Sequence, residues 1–267
     1  MADGDETRPS AIEIYEQVIE DAHDELERSP SSLAFSGLFA GMTLGLSGLG
    51  VAAAIVTLGG TRQHHFVAAL LYPLGFLAVI LGRAQLFTEN TLYPVVLVLE
   101  DWRRYLLRML RLWGIVLAAN LLGAIVFAFL VVDSGALSSD YRHELVGLGS
   151  SALAGSFWQN FSTAIVAGWI IALIAWLVEA SDTTAGRFLV IAILSYLVGL
   201  GGFDHSVASA AEALTTVVNG HASVGHFAWW LTAVTLGNTI GGVFIVAVLN
   251  FGQVRSGEGE ERASQKA

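Results

Sequence analysis

Gly201-Gly202-Phe203-Asp204-His205-Ser206-Val207-Ala208-Ser209 decides how this chain is read. The stretch sits inside an apolar run, 188–218, long enough to cross a membrane, yet polar and ionisable residues stand in its middle. A second run, 66–99, carries a matching interruption, Gly82-Arg83-Ala84-Gln85-Leu86-Phe87-Thr88-Glu89-Asn90. Backbone that leaves a helix within hydrocarbon is tolerated only where protein or a water-filled cavity surrounds it. The two interruptions therefore predict broken helices beside a polar path.

Four further runs, 33–58, 112–132, 146–178 and 227–254, contain no Asp, Glu, Lys or Arg. About 20 apolar residues suffice to span a bilayer. The sequence thus predicts an all-α membrane protein with six transmembrane helices, helices 2 and 5 broken mid-membrane. The expected organisation is an acidic N-terminal helix within 1–32, a channel domain over 33–251 and a disordered tail over 252–267.

Composition agrees. The 267 residues are 54% hydrophobic and 13% charged, with mean hydropathy +0.64, where a soluble domain carries about 25% charged residues. Ten acids precede residue 32 and three more are Glu258, Glu260 and Glu261, so the net charge of −10 is mostly a property of the tails. No basic nucleic-acid patch is present. The absence of cysteine excludes disulfides and thiol chemistry. The first 30 residues lack the apolar core of a signal peptide. No cofactor or metal is expected; His64-His65, His221 and His226 read as solvated loop residues, and no catalytic constellation appears.

Lys and Arg concentrate in cytoplasmic loops. With the N-terminus inside, the inner segments hold Arg8, Arg28, Arg103, Arg104, Arg108, Arg111, Arg187, Arg255, Arg262 and Lys266, and the outer loops only Arg62 and Arg142. Both termini are accordingly expected in the cytoplasm. Residues 11–28 read as a helix with a narrow apolar face, packing on a neighbouring subunit or on the base of the domain.

The membrane part reads as a repeat. Asn120-Leu121-Leu122-Gly123 matches Asn238-Thr239-Ile240-Gly241, 118 residues later, and the two interruptions lie about 119 apart. Ser36-Gly37 is taken to match Ala154-Gly155 at the same offset. Three spans per copy give the copies opposite topology, and inverted repeats with paired broken helices place a transport path near the midplane. Gly37, Gly41, Gly45 and Gly48 form a small-residue stripe suited to close helix packing.

Five ionisable residues fall deep in the membrane part: Arg83, Glu89, Asp204, His205 and Glu212. Such residues are costly there. Arg83 is expected to pair with Glu89 or Asp204, holding the breaks in register, and Glu212 to face a subunit interface. His205 has two readings. It can hand a proton to a weak-acid anion, which then crosses as the neutral acid, or it can be a buried histidine bonded to Asp204, Thr88 or Asn238.

From about residue 35 to 249 these motifs resemble the formate/nitrite transporter family. Leu86-Phe87-Thr88 looks like its first loop, and Gly202-Phe203-Asp204-His205-Ser206-Val207-Ala208 like its second. Asn120-Leu121-Leu122-Gly123 and Leu236-Gly237-Asn238-Thr239-Ile240-Gly241-Gly242 look like its helix-three and helix-six signatures. The resemblance implies an aquaporin-like inverted repeat, a homopentamer in the lipid bilayer of the cell's inner membrane, and passage of small monovalent anions. It also implies pore roles for His205 and Thr88, with Arg83, Asp204, Glu89, Asn120 and Asn238 expected along the same path, and apolar constrictions at Leu86, Phe87, Tyr72, Phe76, Ile171 and Val198. The chain departs from the pattern in Gly168 before Trp169 where the family carries asparagine, Ala152 near its helix-four lysine, and Arg83 and Gln85 in the first loop. These departures look like a divergent, YfdC-like branch. Arg83 either replaces the lysine as anion attractor or holds anions and plugs the path. Two other readings compete: a pore for water or a neutral solute, against which the lack of Asn-Pro-Ala motifs counts, and an occluded scaffold pentamer.

Overall fold

A computed structural model describes residues 9–59 and 62–264. Twelve helices succeed one another there: α1 (Ala11–Glu27), α2 (Pro30–Leu58), α3 (Arg62–Ala68), α4 (Pro73–Leu81), α5 (Tyr93–Glu100), α6 (Trp102–Asp133), α7 (Ser139–Leu153), α8 (Phe157–Glu179), α9 (Thr184–Gly201), α10 (Ala208–Val218), α11 (Val224–Ile240) and α12 (Leu249–Ser264). A π-helical segment, Gly241–Val248, joins the last two. Six segments are long and apolar enough to cross a membrane: Pro30–Leu58, His64–Leu81, Trp102–Asp133, Phe157–Glu179, Thr184–Gly201 and Val224–Gly257.

The helix ends follow from local chemistry. Ser29 caps α2 by accepting a bond from Ser32 N, with Pro30 in the first turn, and Gly59 closes it in a left-handed conformation. Asp101 caps α6 through Arg104 N at 3.2 Å. Ser156 and Gln159 form a capping box at the start of α8. That box corrects the sequence reading of 146–178 as one span: α7 ends at Leu153 and α8 begins at Phe157. Residues 252–264 are likewise helical, continuing α12 where the sequence suggested a disordered tail; 265–267 lie outside the described residues.

α1 packs on its own domain. Its buried face, Ile14, Tyr15, Val18, Ala22 and Leu26, belongs to the same apolar cluster as Val95, Val96 and Val254. Tyr15 OH donates to Glu100 Oε1 at 3.4 Å, and Arg255 pairs with the same oxygen at 3.0 Å. Arg111 Nη2 donates to the carbonyls of Leu26 and Arg28 at 2.9 and 3.3 Å. α1 is thereby fixed to α5, α6 and α12 by both apolar burial and hydrogen bonds.

The central packing is of α2 on α6 and of α8 on α11. Both crossings are closest at a glycine. A Cβ at Gly41 would overlap the carbonyl oxygen of Asn120, and one at Gly168 that of Asn238. This explains why position 168 bears no side chain. It also corrects the repeat register. Gly41 and Gly168 are 127 apart, so the first span does not match Ala154-Gly155 at offset 118. Gly41 and Arg83 lie 42 positions apart, and Gly168 and Gly202 lie 34 apart, so the first of these stretches carries extra chain around α3.

Candidate functional site

The two interruptions are built alike. After α4, Arg83 N donates to Ile80 O and Ala84 N to Val79 O, each at 3.0 Å. After α9, Gly202 N donates to Gly199 O at 3.3 Å and Phe203 N to Val198 O at 3.1 Å. Both are the paired bonds of a Schellman turn, whose hinge residue is left-handed. The hinges are Gly202, at φ 61°, and Arg83, at φ 52°. For an arginine that conformation costs about 1–2 kcal/mol.

Each loop then hangs on one buried carboxamide. Asn120 Oδ1 accepts from Phe87 N at 3.0 Å, while its Nδ2 donates to the carbonyls of Gln85 and Gly37, both at 2.8 Å. Asn238 Oδ1 accepts from Ser206 N at 2.8 Å, while its Nδ2 donates to the carbonyls of Asp204 and Ala164 at 3.0 and 2.8 Å. Each of the two amides uses both N–H donors and one oxygen lone pair, leaving one lone pair on each oxygen. Gln85 adds a bond from Asn90 Nδ2 at 3.0 Å, and its amide donates to Ser36 Oγ at 3.0 Å. Asn120 and Asn238 are thus loop clamps.

The loops meet at His205 and Thr88, both fully buried. His205 Nε2 lies 2.8 Å from Thr88 Oγ1. His205 Nδ1 accepts from Ala208 N at 3.0 Å and Val207 N at 3.3 Å. An Nδ1 that accepts two amide protons carries none of its own, so the hydrogen bonds assign the Nε2–H tautomer. Nε2–H then donates to Thr88, leaving the threonine proton free to point elsewhere. Of the three partners considered from sequence, Thr88 is the one bonded.

Apolar side chains enclose the pair. Phe76 stands edge-on to the imidazole at 5.2 Å between ring centres, and Tyr72 follows at 5.6 Å from Phe76. Leu86, Ile171 and Val198 are buried in the same cluster. Phe87 belongs to it too, with its ring on Trp113 at 5.7 Å. All six residues are buried in this one cluster, and Phe76 is the one whose ring contacts the imidazole.

The remaining ionisable residues separate. Asp204 is buried and accepts from Thr163 Oγ1 at 2.6 Å. Arg83 pairs with neither Glu89 nor Asp204. Its Nη2 lies 3.6 Å from Asp21 Oδ2 on α1, and its side chain is 75% exposed. The sequence could not foresee this, because α1 closes over the first loop only in three dimensions. Arg83, Glu89, Asp21, Asp24, Glu25, Arg28, Glu179 and Arg187 line a cavity of about 430 Å³ between α1 and that loop. Glu212 is buried within the chain, packed against Gly48 and Gly149, rather than facing outward. Ala152, near the position of the family's helix-four lysine, lies on α7 and not on α8.

Sequence reasoning missed Thr163, and it read Ser36 only as part of a repeat match, not as a partner of the first loop. A lone hydroxyl in an apolar span usually bonds its own helix, and nothing local distinguishes Thr163. Among the described residues no group of three His, Cys, Asp or Glu is placed to hold a metal.

Residues 12–252 match the family model described as formate/nitrite transporter. The chain is 33% identical to the inner membrane protein YfdC of Escherichia coli over 270 residues, covering 99% of this chain and 86% of that one. It is 30% identical to a probable formate transporter of Methanothermobacter thermautotrophicus over 235 residues, covering 81% and 82%. Its fold resembles a solved FNT family ion channel, with TM-score 0.77 at 19% identity over 88% of this chain and 96% of the other. A pentameric formate channel with formate bound gives TM-score 0.69 at 17% identity, over 86% and 96%.

Proposed function

The chain belongs to the formate/nitrite transporter family, a family of membrane transporters and not of enzymes, and from that premise we propose a channel for small monovalent anions of weak acids. Formate and nitrite are the type substrates. The observation that carries the reading is the buried Thr88–His205 pair at 2.8 Å, where the two interrupted segments meet inside an apolar enclosure.

In this reading the halves of the chain are an inverted repeat and the interruptions lie at the membrane midplane. The repeated clamps of Asn120 and Asn238 support it. A bare anion is expelled by apolar surroundings, and the neutral acid is not. The Thr88 hydroxyl donates a hydrogen bond to the anion, His205 Nε2–H supports the threonine oxygen, and a proton taken up from water at the mouth the anion enters makes the neutral acid, which crosses between Phe76, Leu86, Ile171 and Val198. Nδ1 is tied to backbone amides, so the ring keeps its one proton on Nε2 and uses it to orient Thr88.

The protein is placed in the inner membrane with both termini in the cytoplasm, on the distribution of Lys and Arg. α1 and its cavity then mark the cytoplasmic mouth. A homopentamer, with one path per subunit, follows the pentameric channel that the fold resembles. The exposed apolar faces, among them Phe35, Leu107, Trp158 and Ile193, suit lipid and neighbouring subunits.

The test is formate and nitrite flux in proteoliposomes. Uptake is expected to rise as external pH falls and to depend on His205. Liposomes that stay impermeable to both anions at every pH gradient, or that swell equally well with uncharged solutes, would overturn the reading.

A further inference from the structure

We propose that Arg83 captures the anion at the α1-side mouth and that Asp21 is its resident counter-anion, which the permeant anion displaces. The inference rests on the anion-channel reading above and assigns how that channel is loaded.

Arg83 occupies a backbone position that favours glycine. Its equivalent in the second loop is Gly202, in the same left-handed conformation and the same pair of turn bonds. The turn itself gains nothing from an arginine there. What position 83 supplies beyond Gly202 is the side chain. The loop beneath is rigid, because Asn120 holds Gln85 O and Ser36 holds Gln85 N. The guanidinium is therefore presented from a fixed base into the cavity.

The other two guanidiniums there are committed. Arg28 forks onto Glu25 at 3.2 Å and onto Ser32, and Arg187 Nε donates to Ser181 O at 2.9 Å. Arg83 makes one long contact, Nη2 to Asp21 Oδ2 at 3.6 Å, and this is its ion pair among the described residues. An exposed, monodentate pair of that length is weak and exchangeable. A guanidinium offers a planar fork that matches a carboxylate or nitrite through two parallel bonds. Small planar anions and the Asp21 carboxylate are thus rivals of one chemical kind. Glu25, Glu89 and Glu179 around them repel free anions, so an anion gains most at the guanidinium.

The experiment measures half-saturating formate for flux into proteoliposomes holding the full-length wild type, Asp21→Asn, Arg83→Gly and the double variant. Arg83→Gly installs the residue that Gly202 already carries in this conformation, so folding is preserved. Asp21→Asn is expected to lower half-saturation about three- to five-fold, the upper part of what an exposed ion pair covers. Arg83→Gly is expected to raise it by at least that factor, and the double variant to behave as Arg83→Gly alone. Unchanged half-saturation in Asp21→Asn, or a shift by Asp21→Asn that persists in the Arg83→Gly background, would overturn the counter-anion role. Arg83→Gly that saturates like wild type would overturn the capture role. A wild type without anion flux would overturn the channel reading itself, and this inference with it.

Discussion

Asn120 and Asn238 make the same three hydrogen bonds, 118 residues apart, each tying one interrupted segment to a neighbouring helix. Both side chains are fully buried. Removing either leaves an amide and two carbonyls without partners, at about 1–3 kcal/mol for each buried group left unpaired. Asn120→Ala and Asn238→Ala are expected to lower the midpoint of thermal unfolding in detergent by similar amounts and to abolish flux. A large loss from one and none from the other would contradict equivalent roles.

Thr88 and His205 are joined by one bond with no charge partner nearby on the ring. Thr88→Val keeps the shape and removes the hydroxyl. It is expected to reduce formate flux about ten-fold, the equivalent of one lost hydrogen bond. Thr88→Ser restores the oxygen and should stay within about two-fold of wild type on the same scale. Flux assays on the two variants side by side check this; equal activity would remove Thr88 from the path.

The crossing at Gly168 leaves no room for a side chain. Gly168→Asn, which introduces the residue the family pattern carries there, is expected to destabilise the protein by about 1–3 kcal/mol, an overpacking cost. Gly41→Ala should act likewise through Asn120. Thermal melts are the measurement. A stable Gly168→Asn would mean that the two helices move apart at little cost.

Docking of α1 should depend on pH. Burial raises the Glu25 carboxyl above its ordinary 4.5, with Arg28 partly offsetting. A raised carboxyl opposes docking while ionised, and the penalty fades as pH falls through its elevated value. Glu13 is shifted down by its capping bonds to Ser10, so its support holds above 4.5 and is lost below. Hydrogen exchange across 11–27, corrected for intrinsic rates, should be slowest at weakly acid pH. Glu25→Gln should remove the loss of protection on going to neutral pH.

The six spans and both interruptions were legible because charge is so scarce that each polar residue stands out. The His205 loop and the two asparagines were legible through their motifs. The division at residues 154–156 was not, since Ser156 and Gln159 cap a helix without bringing any charge into the run. The partner of Arg83 was hidden because Asp21 is 62 positions away, on a helix whose docking surface is assembled from α5, α6 and α12. The register of the first span failed for a related reason. Helix contacts keep their spacing when a connecting loop lengthens, and counting along the chain does not.

The two loops share a scaffold but not a filling. Shifting by 119 places Leu86 opposite His205 and Thr88 opposite Val207, so the bonded pair takes one polar group from each half at positions that do not correspond. A passive conduit must reach the same final distribution whichever way it is loaded. Its barriers need not be mirror images, however, and at the bonded pair an apolar residue, Leu86 or Val207, stands in one half where His205 or Thr88 stands in the other. For the proposed channel the expected consequence is rectification: equal and opposite gradients should drive unequal initial currents.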